Sequence, residues 1–456
     1  MAESLALRQA AREIFLSGLR AADSREAVRR ALTRDGSRLI VADVHLDLTS
    51  YESGVYAIAI GKAALPMAVA LEDTLGEFLR SGFIAGPVAT QPLLATLVLP
   101  PRKLTTAWRW CEGGHPLPNK TSLLAAKESF DLLGRANATD SLIIFLISGG
   151  GSAMIEWPAD EKITLADLRN ANRQLISCGA NIAEINAVRR AFSAVKGGKL
   201  AARAPQAKQI TLIISDTNRG DEAGVASGPS LRPPVVSPEA RDVINRYHLE
   251  KNLPASILTT IRQAGGDAFE APKESGTYYV LLDNQTAIEA AAARAMQFGF
   301  TVETAGDISE QAIDEGSSLL VSRLRMLRER ARGNPVCLLS GGEFSCPVIG
   351  DGIGGRNLET ALRCAMEFDR VSKSGEDTGH MIALSAGTDG IDGNSPAAGA
   401  IADETSIRRG RVLNLDAEGS LLRSDSFGFF NSLGDAITTG PTGTNVRDLR
   451  ILLASE

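Results

Sequence analysis

Short apolar runs recur along the chain, and nearly every one ends in a cluster of small polar residues. VYAIAI (55–60) leads into GKAA, LIIFLI (142–147) into SGGGSAM, ITLIIS (210–215) into DTNRGDEAG, and YYVLL (278–282) into DNQTAIEAAA. VCLL (336–339) then leads into SGGEFSCP, MIAL (381–384) into SAGTDGIDG, and AITT (436–439) into GPTGTNV. Runs of this length without alternation predict strands buried on both faces, and the helical patterns between them predict crossover connections. The fold class that follows is α/β with largely parallel sheets. Ligands of such sheets collect outside the carboxyl ends of the strands, where helix N-termini also gather, so the small polar clusters are the candidate site. Turns and caps use the same residues, which makes the series of loops more telling than any one of them.

The chain changes character between Pro229 and Gly276, where GPSLRPPVVSPEARD is followed by a polar helical segment through Ala264, Gly265 and Gly266. Proline density of this kind predicts a boundary. The expected division is a Rossmann-like α/β domain over 1–236, a linker and helical segment over 237–276, and a second α/β domain over 277–456 that restarts at the strand Tyr278–Leu282. A cleft between two such domains would receive loops from both. The N-terminus, with acids among its arginines and apolar residues at helical spacing, predicts a surface helix and not a signal peptide. Ser81 to Pro101 carries no charge, but Gly86-Pro87, Gln91-Pro92 and Pro100-Pro101 interrupt it. That pattern predicts two buried strands joined by a turn, not a membrane span.

Composition adds exclusions. The 456 residues hold 48 Lys+Arg against 54 Asp+Glu, a formal charge of -6, with 44% hydrophobic residues. This is an ordinary globular composition with room for about two to three domains. RLRMLRERAR (323–332) is spaced as a solvated helix face and not as a track for a phosphate polymer, so nucleic acid is not an expected partner. Five cysteines at irregular intervals, with no C-x-x-C pair and only 4 histidines, predict neither a disulfide framework nor a zinc site. Reduced thiols suit a cytoplasmic protein.

Among the loops, Ser148-Gly149-Gly150-Gly151-Ser152 follows a buried strand and precedes a helical stretch, so its amides can converge on a phosphate or carboxylate. Lys62 stands one residue past Gly61 at a strand end, where its charge meets the positive end of a helix dipole unless an anion is present. The turn Gly350-Asp351-Gly352-Ile353-Gly354-Gly355 ends in Arg356, whose guanidinium can clamp a carboxylate or phosphate, with Gly354 and Gly355 beside it. Asp389 and Asp392 in GTDGIDG, and Asp216 in SDTNRGD, are candidates for magnesium coordination or for accepting a hydroxyl proton, with Asx turns as the alternative. Thr442, Thr444 and Asn445 in GPTGTN offer hydroxyls and an amide to phosphates or a base. Lys196 in AVKGGKL reaches an anion if its helix ends at the site, and is otherwise a surface lysine. His115 in GGHPLP is a further candidate, with a structural histidine beside proline as the alternative.

Absences narrow the reading. There is no G-x-x-x-x-G-K-[ST] P-loop, no H-R-D or D-F-G of protein kinases, and no G-x-S-x-G elbow. A literal G-x-G-x-x-G at Gly350, Gly352 and Gly355 follows only Val348-Ile349 after Pro347, the wrong context for a dinucleotide fingerprint.

Taken in order, AIGKAA (59–64), GGHPLPN, LISGGGSAM, INAVRRAFSAVKGGKLA, ISDTNRGDEAGVASGP, LSGGE, DGIGGRNLE, SAGTDGIDG and GPTGTNVRDL (440–449) make the chain resemble the class II glycerate 2-kinases, whose C-terminal half is called the MOFRL domain. The resemblance runs nearly end to end, and the ordered set is far more specific than any one loop. It implies ATP-dependent, Mg2+-requiring phosphorylation of D-glycerate at its 2-hydroxyl, giving 2-phosphoglycerate and ADP, in a cleft between two α/β domains. It assigns the family's functional pair to Lys62 and Arg356, and it implies a soluble homo-oligomer, with a homodimer as the candidate. In the mechanism so implied, these two cations neutralise the transferring phosphoryl group and the glycerate carboxylate. Ser148–Ser152 cradles one of those anions, and Asp389 or Asp216 holds magnesium or orients the 2-hydroxyl. Departures from the family pattern fall at Asp351, Leu358, Pro396 and Ser424 and bear on substrate preference. An NAD(P)-dependent hydroxypyruvate reductase is the alternative reading, because proteins resembling this chain are often so labelled. A non-catalytic phospholigand sensor is a third.

Overall fold

The computed structural model describes residues 2–87, 104, 107–234, 236–263, 276–374 and 379–456. The described residues divide into two units, one within 24–282 and the other made of 2–23 with 283–456.

In the first of these, a small antiparallel meander of β1 (Leu32–Asp35), β2 (Arg38–Val41) and β3 (Val44–Asp47) precedes β4 (Gly54–Ile60), β5 (Leu79–Ala85), β6 (Trp108–Cys111), β7 (Ser141–Ser148), β8 (Lys208–Ile214) and β9 (Thr277–Leu282). The last six form one sheet in the order β6-β5-β4-β7-β8-β9, every neighbouring pair parallel. The chain therefore runs outward from β4 to β6, then returns to β7 on the other side of β4. This is the doubly wound order of a Rossmann-like sheet, and its reversal opens a crevice at the carboxyl ends of β4 and β7. Tyr56, Ile58, Ile60, Phe145 and Ile147 pack with Leu132 and Leu133 of the helix Lys120–Arg135. The opposite faces of β4 and β7 are buried too, which is why these runs do not alternate. The helices Leu165–Ser177, Ile182–Phe192, Ala240–Arg246 and Ala255–Gln263 form a separate apolar cluster around Leu175, Val188, Phe192 and Ile257.

The second unit contains β10 (Thr301–Thr304), β11 (Val336–Ser340), β12 (His380–Gly387), β13 (Gly399–Asp403), β14 (Ala436–Ile437) and β15 (Asp448–Ser455), in the order β10-β11-β15-β12-β13-β14. Only β10 and β11 pair in parallel; all other pairs are antiparallel. The expectation of a largely parallel sheet fails here for a local reason. The polar loop after β12 returns directly into β13 with no helix to make a crossover, and the C-terminal strand enters the middle of the sheet.

The domain division also differs from the expected one. β9 extends the first sheet beside β8, so the strand expected to open the second domain closes the first. The segment expected as a linker carries two packed helices, through Val243, Ile244, Ile257 and Ile261. At the other terminus the helix Ala2–Ala21 belongs with the second unit, where Leu7, Ala11, Ile14, Phe15 and Leu19 join Ile288, Leu384 and Ile451 in a core. It is a core helix, not merely a surface one. Ala264, Gly265 and Gly266, and the second strand expected before Pro101, lie outside the described residues. Among the described residues no helix is long and apolar enough to cross a membrane. The five cysteines are unpaired, with Cys111, Cys337 and Cys364 buried.

Candidate active site

At the crevice between β4 and β7, two loops are stitched together. Gly61 has φ +113°, and a Cβ there would lie 2.3 Å from the Ser148 carbonyl oxygen, so only glycine allows the approach. The Ser148 hydroxyl accepts from the Ala63 amide at 3.0 Å and donates to the Ile60 carbonyl at 3.2 Å, while the Lys62 amide donates to the Gly149 carbonyl at 2.9 Å. Ser148 is fully buried, so its hydroxyl builds the loop instead of facing a ligand, which corrects its expected role. Gly150 has φ +79°, and the half-buried Lys62 lies across it, its Cγ, Cε and Cδ 3.0, 3.1 and 3.3 Å from where a Cβ would stand. The lysine and the glycine loop thus meet. Gly150 begins the short helix Gly151–Met154, whose first amides have no acceptor within the helix.

Lys196 is not a surface lysine, nor does it reach outward. Its side chain is 1% exposed, and its Nζ donates to the Ser152 carbonyl at 2.7 Å and to Glu156 Oε2 at 2.6 Å. Glu156 also accepts from the Ser193 hydroxyl at 2.5 Å and the Trp157 amide at 3.0 Å. Burial pushes the Lys196 ammonium below its usual range while Glu156 pulls it back up. Its expected contact with substrate is replaced by support of the loop from beneath. The Ser152 hydroxyl pairs with that of Ser227 at 2.8 Å, and Ser227 donates to Asn186 Oδ1 at 2.8 Å. Asp216, half-buried, follows β8 at the same carboxyl edge. The exposed His115 sits in a turn that backs onto this helix, since a Cβ at Gly113 would lie 2.0 Å from the Met154 carbonyl oxygen.

In the second unit Arg356 opens the helix Arg356–Lys373 between two acids. Its Nε donates to Asp448 Oδ2 at 2.6 Å and its Nη2 lies 2.8 Å from Glu343 Oε1. Asp448, the first residue of β15, is buried; burial opposes its charge, but Arg356 and Arg450 hold its carboxyl below the usual range. Asn357 Nδ2 donates to Asp448 Oδ1 at 2.8 Å, and the Ser385 hydroxyl donates to Asn357 Oδ1 at 2.6 Å. Arg450 is 1% exposed, lies 3.7 Å over the Phe344 ring and donates to the Ser340 hydroxyl at 3.2 Å; burial lowers it to about 10. Asn284 fixes the loop ends, donating to the Val446 and Asp448 carbonyls at 2.7 and 2.9 Å and accepting from the Gly342 amide at 3.0 Å.

Several expected ligands in this unit have structural partners instead. A Cβ on Gly354 would lie 2.6 Å from Ser426 Oγ, and one on Gly355 would lie 2.4 Å from Asp392 Cγ. The glycine density before Arg356 therefore answers to close backbone packing and not to an open cradle. Asp392 is buried, and its carboxylate accepts the amides of Asn357 at 3.1 Å and Leu358 at 2.8 Å, capping the helix from a distant loop. Both oxygens are spent, which corrects its assignment as a metal ligand. Burial pushes its carboxyl up to about 7 against the pull of those amides.

Asp389 Oδ1 accepts the Ile391 amide at 3.1 Å, the Asx turn that was the alternative, yet the residue stays half-buried beside the Asp448 loop. Thr442 donates its hydroxyl to the Thr388 carbonyl at 2.6 Å and its amide to the Asp389 carbonyl at 3.1 Å. Asn445 accepts the Arg447 amide at 3.3 Å. Among the described residues the buried Thr444 hydroxyl has no hydrogen-bond partner. Among the described residues, no group of three or more His, Cys, Asp or Glu side chains is placed to hold a metal ion. Of the departures from the family pattern, Asp351 is exposed, Leu358 is buried, and the Ser424 hydroxyl accepts the Ile349 amide at 3.0 Å.

Sequence reasoning missed Glu343, Asp448, Arg450 and Asn284 in one unit and Glu156, Asn186, Arg189 and Ser227 in the other. Asp448 and Arg450 had a signal: charges abutting the apolar run ILLA (451–454) must be paired if that run is buried. Asn284 had none.

Two family models match the chain, "Domain of unknown function (DUF4147)" over residues 10–262 and "MOFRL family" over residues 336–448. A protein from Pyrococcus horikoshii named glycerate 2-kinase is 32% identical, over 98% of this chain and 98% of that protein. One from Agrobacterium vitis, named as a hydroxypyruvate reductase, is 33% identical over 98% of this chain and 94% of its own length. The crystal structure of a glycerate kinase from Thermotoga maritima superposes with a TM-score of 0.76 at 29% identity, covering 98% of this chain and 99% of that one.

Proposed function

Because this chain belongs to the glycerate 2-kinase family, we propose that it transfers the γ-phosphoryl group of ATP to the 2-hydroxyl of D-glycerate, releasing 2-phosphoglycerate and ADP. The observation that carries this is Lys62 laid across Gly150 between the ends of β4 and β7. An ammonium beside a glycine turn at the switch point of a doubly wound sheet is built to receive phosphate oxygens.

In this reaction the 2-hydroxyl oxygen attacks the γ-phosphorus, the bond to the β–γ bridging oxygen breaks, and the hydroxyl proton passes to a carboxylate, Asp389 or Asp216. Little covalent work falls to the protein, so positioning and charge neutralisation dominate. Lys62 neutralises phosphate oxygens as a point charge. Arg356 meets an incoming anion by exchanging Glu343, whose side chain is 33% exposed, while Asp448 at 2% exposure keeps hold of Nε. Asp389 or Asp216 would hold magnesium bound with the nucleotide, which would supply charge neutralisation at the phosphates. An ion of that kind needs one or two protein carboxylates and no dedicated cage, which Asp389 or Asp216 satisfies and Asp392 does not. Unpaired cysteines support a reducing, cytoplasmic setting, and a homodimer is the assembly the family implies.

Hydroxypyruvate reduction is the second reading, favoured by the name of the Agrobacterium vitis relative. Against it stands the glycine pattern at 350–355. β11 ends at Ser340, and that turn is pressed on Arg423, Asp425 and Ser426, so it does not join a strand to a helix as a pyrophosphate turn does. Purified protein is to be given ATP, Mg2+ and D-glycerate in one cuvette and hydroxypyruvate with NADH or NADPH in another. ADP release in the first with constant absorbance in the second is the expected result; NAD(P)H oxidation without ADP release overturns the kinase.

A further inference from the structure

Arg189 lies on the helix Ile182–Phe192, three residues past Asn186 and so on a neighbouring part of the same face. It is 8% exposed, yet its one hydrogen bond runs from Nε to the neutral Asn172 Oδ1 at 2.8 Å. Among the described residues it forms no ion pair, and its two terminal nitrogens donate to nothing. A buried cation without an anion is costly. Burial lowers the guanidinium to about 10 even though the Glu156 charge pulls it back up.

Its surroundings do not supply the missing charge. Glu156 acts on Arg189, Lys196 and Lys199 together, and its own oxygens are taken by Lys196, the Ser193 hydroxyl and the Trp157 amide. Lys199 donates instead to the carbonyls of Arg190 and Ser193, both at 2.7 Å, closing the C-terminal end of the helix. Three cations thus share one carboxylate. Through Lys196 this cluster joins the Ser152 carbonyl, while the Ser152 hydroxyl pairs with that of Ser227, which donates to Asn186 on the same helix as Arg189. Ala226 and Ser227 are both held at positive φ, +52° and +61°, a conformation that costs energy in residues with a Cβ and persists only where the surroundings impose it.

We propose that Arg189, close enough to Lys196 for their charges to act on each other, forms a subsite for the carboxylate of the three-carbon acceptor beside the Ser152 loop that Lys196 holds. This rests on the glycerate kinase reading and deepens it. Arg356 already faces two carboxylates, whereas the planar fork of Arg189 faces none, and a fork of two parallel N–H groups matches a carboxylate.

The test is the Arg189→Met variant, close in volume and neutral. Its KM for D-glycerate should rise on the order of tenfold or more while its KM for ATP stays at the wild-type value. Arg189→Lys, which keeps the charge and loses the fork, should recover part of that rise. Wild-type turnover of D-glycerate with an unchanged glycerate KM in Arg189→Met overturns the subsite and leaves the kinase standing. Should the wild type not phosphorylate D-glycerate, the kinase reading fails, and the subsite is read from the Tm rise that D-glycerate alone induces. A rise lost in Arg189→Met supports the subsite; an equal rise, or none in the wild type, overturns it. If Arg189→Met does not fold, an unaltered glycerate KM in Arg189→Lys is the overturning result.

Discussion

Lys62 and Lys196 both stand near glycine turns, and burial gives them opposite roles. Lys62 is half-buried over Gly150 at the edge where ligands collect, so Lys62→Met should lower kcat/KM by about a hundredfold or more while leaving Tm nearly unchanged, as steady-state kinetics and a thermal melt will show. Lys196→Met should instead strand Glu156 as a buried charge and cost about 3–5 kcal/mol of stability, read from urea unfolding. The position of Lys62 was legible because a lysine one residue past a strand-ending glycine has few other uses. The burial of Lys196 was not, since Glu156 lies forty positions away and no local pattern joins them. Arg189 escaped for the same reason: its partner Asn172 comes from another helix that only tertiary structure brings near.

At the scale of elements, buried strands were the clearest signal, because long apolar runs ending in glycine have few alternatives. β4, β7, β8, β11 and β12 fall where the runs placed them. β13 and β15 did not show, since both follow glycine loops that read equally well as helix starts. The helix Arg356–Lys373 carries a measurable consequence of its remote cap. With the Asp392 carboxyl raised to about 7 in the folded protein from a usual 3.8, the folded state holds a proton that the unfolded state releases. On this group's account stability falls as pH rises from about 4 to 7, and the loss is complete above that window. Denaturant melts at either end of it should show a smaller pH difference for Asp392→Asn than for the wild type. An identical difference would show that Asp392 does not titrate in this range.

For the whole molecule, the doubly wound first sheet was readable in outline, but the membership of both units was not. Sequence order hides that the N-terminal helix completes the second core and that β9 completes the first sheet. Arg8 of that helix is ion-paired with Asp403 and Asp435, and Leu7, Ile14, Phe15 and Leu19 are buried with it. Each such side chain contributes roughly 1.5–3 kcal/mol. Deleting residues 2–21 should therefore leave the Asp283–Glu456 unit insoluble or unfolded, judged by soluble yield and circular dichroism. A truncated chain with wild-type solubility would contradict that assignment of the helix.

The central claim is phosphorylation at the 2-hydroxyl, and the most direct measurement couples the reaction to enolase with no phosphoglycerate mutase present. ATP, Mg2+, D-glycerate and the purified protein should yield phosphoenolpyruvate in step with ADP, because enolase accepts 2-phosphoglycerate directly. ADP without phosphoenolpyruvate would contradict the claim and place the phosphoryl group elsewhere on the acceptor.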